Sequence, residues 1–168
     1  FDTVPTQIEY VGLFAPAVVP TETYSKVLRY QGVAEAFAVA EEIDIMVTSL
    51  GSASHEHGDF YTFMLGSQRG FAALQREGWL GDVQYRPYSP RGPIEIDAQI
   101  RAVALFELRE LVAHSRRPDK HVVLVAGPCP GCGRSRSDAL RPLLDEPTLK
   151  VWTHLVTDVN SARELAPE

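Results

Sequence analysis

The chain has 168 residues, enough for one domain that buries roughly 70% of the surface its unfolded form exposes, so folding requires neither a disulfide nor a metal. Its 45% hydrophobic and 23% charged residues are ordinary for a soluble globular protein, and no apolar run approaches the ~20 residues of a membrane-spanning helix. A formal net charge of -6 argues against this chain itself gripping a phosphate backbone, and two cysteines three positions apart argue against a disulfide scaffold and for a reducing, cytoplasmic setting.

The sequence begins at Phe1 and enters almost at once into IEYVGLFAPAVV, which reads as part of a longer protein. No repeat, low-complexity tract or internal boundary interrupts it, so residues 1–168 are expected to form a single domain. Ile8 to Val19 is β-rich but broken by Pro16, suggesting a strand that passes into extended chain. TETYSKVL offers Thr21 or Thr23 as a helix N-cap. Val33, Ala36, Phe37, Ala40 and Ile43 recur at the spacing of one apolar helical stripe. A buried strand over Ile45 to Leu50, ended by Gly51, is expected next, then a long loop, SASHEHGDFYTFMLGSQ.

SQRGFAALQREGW reads as a short helix closed by Gly78, and LGDVQYRPY as a strand. Residues 97 to 115 suit either one helix or a short strand followed by a helix, and periodicity does not choose between them. Val122 to Val125 reads as a strand, Arg134 to Leu144 as a helix, KVWTHLVT as a strand, and DVNSARELA as a helix capped by Asp158. This alternation predicts an α/β fold: a Rossmann-like parallel sheet with helices on both faces. Ligands of such sheets bind beyond the carboxyl ends of the strands, which here selects the loops 51 to 58, 82 to 93 and 127 to 136.

The last of these loops, in HVVLVAGPCPGCGRSRSDAL, admits three chemistries. A C-x-x-C that follows a strand and opens a helix resembles a redox pair, but too little chain follows Cys132 to complete a thioredoxin-like sheet. Two thiolates so spaced also make half of a tetrahedral zinc site, which His55 and His57 of SHEHG could complete, with Glu56 as a general base beside the metal. The third chemistry is anion binding: Gly127, Gly131 and Gly133 let backbone N–H groups converge, and Arg134 and Arg136 add charge where a helix begins. That suits a phosphate or the hydroxyls of a sugar. Tyr85, Tyr88 and Phe60 are candidates to stack on a sugar ring, or simply to fill core.

Taken in order, several segments resemble the sugar-binding effector domain of SorC-type, DeoR-related bacterial transcriptional regulators. LFAPAVVPTETYSKVL is similar to that family's A-P-x-x-V segment and its helix, AEEIDIMVTSLGS to its strand ending in G-I-G, and REGWLGDVQYRPYSPRG to its A-x-G-A-V-G-D-I block. HVVLVAGPCPGCGRSRSDAL resembles its strand, A-G-G turn and Lys-bearing helix, and LVTDVNSARELA its closing T-D-x-x-T-A-x-x-L.

The resemblance implies an isomerase and CoA-transferase-like fold that binds a sugar or sugar phosphate effector without acting on it and uses no cofactor. It also implies DNA contact through an N-terminal helix-turn-helix and a homo-oligomer, dimer or tetramer. Carried over by motif, the ligand-binding residues are Gly51 and Ser52 at the strand end, Asp82 as the hydroxyl-binding acid, Gly127 at the glycine turn, and Arg136 at the family's lysine position; Arg134 joins them from the anion-binding reading of the loop. The family's first strand with its phosphate loop belongs upstream of Ile8 and is not found in this sequence. Two rivals stand beside this reading. One is a sugar-phosphate isomerase recruiting Asp82, His55 and Glu56; the other is a zinc or redox sensor using Cys129 and Cys132.

Overall fold

The computed structural model describes residues 9–166; Ile8, where the first strand was expected to begin, lies outside them. In chain order the elements are β1 (Val18–Pro20), α1 (Thr21–Val27), α2 (Gln31–Ala38), β2 (Ile45–Ser52), α3 (Asp59–Leu65), α4 (Gln68–Arg76), β3 (Gly81–Val83), β4 (Arg86–Ser89), β5 (Gly92–Pro93), β6 (Ile100–Ala102), α5 (Leu108–Ser115), β7 (His121–Ala126), α6 (Ser137–Asp145), β8 (His154–Thr157) and α7 (Val159–Leu165). Six strands form one sheet in the order β5-β4-β3-β2-β7-β8, and β1 pairs with β6 apart from it.

The sheet is mixed, where a wholly parallel one was expected. β2, β7 and β8 run parallel, whereas β3, β4 and β5 add an antiparallel meander to the other side of β2. Within the meander, β3 is reversed into β4 by the turn at Gln84 and Tyr85, which adopt φ of 52° and 61°. A two-residue turn with both φ values positive forces an antiparallel hairpin, and usually Asn or Gly announces it. Here the positions carry neither, so the segment LGDVQYRPY looks like one strand and is two.

The expectation of helices on both faces also needs correction. Met46, Val122, Leu124 and Ala126 point to one face, where Leu111 and Val112 of α5 and Leu140 and Leu143 of α6 cover them. On the opposite face Val47 is 71% and Val156 51% exposed, and no helix among the described residues covers them. The remaining helices are drawn elsewhere by their own apolar stripes. Val27 and Val33 close over Val19 and Val103 at the β1–β6 pair, and Phe60, Met64 and Leu74 pack on Trp79, Ile94 and Ala98.

Several local expectations are met. Asp158 caps α7 by accepting from the N–H groups of Asn160 and Ser161, and Gly78 takes φ 73° just after α4. Others shift. Residues 97 to 115 resolve into β6 and α5, the latter opened by a reciprocal Glu107–Glu110 capping box. β2 continues through Gly51 to Ser52, α3 forms inside the expected long loop, and α6 begins at Ser137 rather than Arg134. At α1 the N-cap is Pro20, and Thr23 donates its hydroxyl back to the Pro20 carbonyl.

Lys120 ties the crossover from β2 to β7. Its buried ammonium donates to the carbonyls of Glu41 and Ile43 and to the Asp44 carboxylate at 2.8 Å. Leu124 sits at the centre of the core with no exposed surface. Leu124→Ala should therefore lower stability by about 2–5 kcal/mol, read from urea unfolding, because the packed layer can only partly collapse into the cavity.

Candidate functional site

Because β2 and β7 are parallel neighbours, the loops that leave their carboxyl ends emerge side by side. β3 runs the other way, so it brings its amino end to the same place: Asp82 pairs with Gly51, and Gly81 with Ser52. The three sequence segments expected at the site do meet, although the third does so through its first residues and not through the loop that follows it.

Two glycines set how closely they meet. A Cβ on Gly51 would run into the Asp82 carboxylate, and one on Gly81 would lie 2.7 Å from the Gly51 carbonyl oxygen and closer still to the Tyr88 hydroxyl. Asp82 is 7% exposed. Burial pushes its carboxyl up to about 7, against the opposing pull of the Tyr85 backbone N–H and the Arg136 guanidinium. Near neutral pH this group can therefore donate a proton in a hydrogen bond as readily as accept one.

The two arginines are anchored to backbone. Arg136 donates from Nη1 to the Leu50 carbonyl at 2.7 Å, and Arg134 from Nη2 to the Ser54 carbonyl at 2.9 Å. Each clamps the end of β2 to the loop after β7, so their charges are held in place. Ser52 is buried, its hydroxyl 2.8 Å from that of Ser54, which in turn donates to Asp138. Asp138 stands in the first turn of α6 and accepts from its own helix's Ala139 N–H, so a carboxylate already faces the positive end of that helix. The sequence reading missed Asp138 and Ser54, although an acid in the first turn of an expected helix was a usable signal. A Cβ on Gly127 would meet nothing within 4 Å, so packing does not demand glycine there.

The cysteine turn closes on itself. The Cys129 N–H donates to the Arg134 carbonyl, the Gly133 N–H to the Cys129 carbonyl at 2.7 Å, and Gly133 adopts φ 70°. Cys129 is buried, Cys132 is exposed, and the Nε of Arg134 lies 3.4 Å from the Cys132 sulfur. Burial pushes the Cys129 thiol up, but the N–H groups of Cys132 and Gly131, the Cys132 thiol and Arg136 outweigh it and bring the thiol below its ordinary value. His55 is 4% exposed, its Nδ1 is buried without a hydrogen-bond partner, and burial and the nearby Arg134 keep the ring neutral to lower pH. One ligand atom each of His55, Cys129 and Cys132 lie within 4.8 Å of one another. Glu56 and His57 are exposed.

The aromatic candidates separate. Tyr88 is fully buried and donates its hydroxyl to the Ala139 carbonyl at 2.8 Å, which makes it core and not a stacking surface. Phe60 is committed edge-on to Trp79. Tyr85 stands on the wall of a cleft of about 670 Å³ lined also by Phe63, Arg86, Ile96, Arg101 and Glu107. None of Gly51, Ser52, Gly127, Arg134 or Arg136 lines that cleft, so it lies off the strand-end site and touches it only through the turn between Asp82 and Tyr85.

No family model and no curated protein matches the chain. Solved structures do. The full-length sorbitol operon regulator SorC from Klebsiella pneumoniae matches with a TM-score of 0.68 and 16% identity over 89% of this chain and 44% of its own. A DeoR family transcriptional regulator from Listeria monocytogenes matches with a TM-score of 0.67 and 15% identity, over 92% and 57%. A domain assigned to sugar binding in a transcriptional repressor from Vibrio fischeri matches with a TM-score of 0.65 and 19% identity, over 91% and 56%. The chain thus shares the fold of SorC- and DeoR-type regulators over about nine-tenths of its length, and it spans about half the length of the solved structures it matches.

Two outcomes follow from the Gly51–Asp82 contact. Gly51→Ala should destabilise the fold measurably in thermal unfolding, because the Asp82 side chain and its Tyr85 hydrogen bond must shift to admit a methyl group. Asp82 holds its proton more tightly folded, at about 7, than unfolded, at 3.8. Its contribution to stability is therefore complete below the lower value and is lost as pH rises through the higher one, an effect on the order of a few kcal/mol. Asp82→Asn should flatten that slope and be more stable than the parent above neutrality; denaturant unfolding across pH 4 to 8 that shows the same slope in both proteins would refute the assignment.

Proposed function

We propose that this chain is the ligand-sensing domain of a sugar-responsive transcriptional regulator, which binds a sugar or sugar phosphate at the joined ends of β2, β3 and β7 without chemical change. The observation that carries the reading is the convergence of Gly51, Ser52 and Asp82 with the clamped Arg134 and Arg136, on a fold similar to that of a sorbitol operon regulator and of a repressor domain assigned to sugar binding. A carboxyl group poised near neutrality suits hydroxyls that both donate and accept, and a guanidinium held by one hydrogen bond keeps further N–H donors for a phosphate. Gly127 opens the turn beside them.

The finer parts of the reading belong to it as well. The architecture is taken as isomerase and CoA-transferase-like, and residues 1–168 as the effector domain of a longer cytoplasmic protein. DNA is contacted by a separate helix-turn-helix, which a net charge of -6 on this domain favours, and the regulator works as a dimer or tetramer.

Thermal unfolding in the presence of free and phosphorylated pentoses and hexoses tests this directly. The cognate ligand at 100 times its dissociation constant should add about 2.7 kcal/mol to stability. Asp82→Ala should abolish the shift while leaving a cooperative transition, and Arg136→Lys should weaken phosphorylated ligands more than free sugars. No shift with any member of the panel, or an unchanged shift in the Asp82 variant, would overturn the proposal.

A further inference from the structure

His55, Cys129 and Cys132 have no part in sugar recognition as proposed, yet the fold brings them together from two loops that are far apart in sequence. We propose that these three side chains form a zinc site at the carboxyl ends of β2 and β7, with the fourth coordination position open beside His57.

The donor set is two thiols and one imidazole, the N/S combination that zinc takes in tetrahedral geometry and that hard cations avoid. The C-x-x-C turn supplies two ligands from one tight loop, held by the Cys129 and Gly133 backbone hydrogen bonds and by the left-handed Gly133. Ligand atoms around zinc sit roughly 3.4–3.8 Å apart. A mutual spacing within 4.8 Å therefore needs only small side-chain rotations to close on an ion.

A second observation points to the same place. The imidazole of His55 is more than nine-tenths buried and its Nδ1 has no hydrogen-bond partner, which a purely structural histidine would not leave unmade. Gly131 contributes by being bare: a Cβ there would lie 2.5 Å from the His57 ring, which thus rests on the cysteine turn. Two thiolates neutralise the charge of the ion, and Arg134, 3.4 Å from the Cys132 sulfur, balances any residual negative charge there. The ion would lock the loop that carries Arg134 and Arg136 onto the end of β2, and its open position accepts water or an oxygen of a small molecule. The site stands whether or not the chain binds sugars.

Cobalt reports on it without any variant. The reduced full chain, titrated with Co²⁺, should take up a single equivalent with a thiolate-to-cobalt charge-transfer band and the intense visible bands of tetrahedral coordination, and Zn²⁺ should bleach both. Cys132→Ser, at an exposed position, should keep the cooperative unfolding transition of the parent, lose most of the charge-transfer intensity and bind Zn²⁺ at least tenfold more weakly. His55→Ala should lose affinity similarly, and His57→Ala should keep both the stoichiometry and the spectrum. A reduced wild-type protein without the thiolate band, or a Cys132 variant with an undiminished one, would overturn the site. Loss of cobalt in the His57 variant would overturn the open position.

Discussion

The parallel pairing of β2 with β7, Ile45 with His121 through Ser49 with Val125, is the constraint on which the rest depends. It places the chain after Ser49 and the chain after Val125 at one edge of the sheet, although more than seventy positions separate them in sequence. Lys120 fixes the opposite end of the same pair through its three hydrogen bonds to the β2 approach. A buried ammonium with all three donors satisfied is costly to displace, so the register of β7 against β2 is strongly specified. The Arg136–Leu50 and Arg134–Ser54 contacts repeat that logic at the ligand end, where carbonyls beyond the ladder would otherwise lack donors.

The mixed sheet matters for the site as much as for the fold. Had β3 run parallel to β2, its carboxyl end would have delivered the Gln84–Tyr85 turn to the site and carried Asp82 below it. The antiparallel pairing of β3 with β2 instead lays Asp82 directly across Gly51, in a position so close that only a glycine admits it. That proximity buries the carboxyl, and burial moves its titration into the physiological range. The direction of β3 against β2 thus sets both the position and the protonation of the acid at the centre of the candidate site.

What the sequence made legible follows from which signals are local. The strands around Met46 and Leu124 were visible as apolar runs, and Asp158 as a cap, because burial pattern and capping chemistry are written within a few residues. The meander was not, because Gln84 and Tyr85 carry none of the residues that normally mark a left-handed turn. The helix α3 hid inside DFYTFML, where aromatic residues suit strand and helix alike and only packing against Trp79 and Leu74 decides. The candidate site residues Gly51, Asp82 and Arg136 were legible through resemblance to a family motif. Asp138 and Ser54, which occupy the helix start and the neighbouring hydroxyl, belong to no motif and emerged only from the contacts.

The loop from Gly127 to Arg136 divides its chemistry by what is already satisfied. Arg134 and Arg136 each spend a donor on a backbone carbonyl, and Asp138 faces the helix end that an anion would otherwise approach. A phosphate must therefore bind through the remaining guanidinium N–H groups and share the region with a carboxylate, which favours a neutral or singly charged ligand portion there over a densely charged one. The groups of the region best suited to a metal are of a different kind: a buried imidazole nitrogen without a partner and two sulfurs that meet only N–H and S–H donors. Hard anions are recognised by N–H donors, and soft ligands by sulfur and imidazole. On the two proposals the loop divides its work, a small polar molecule meeting the arginines and a metal the cysteines, and the Arg134–Cys132 contact joins the two sites.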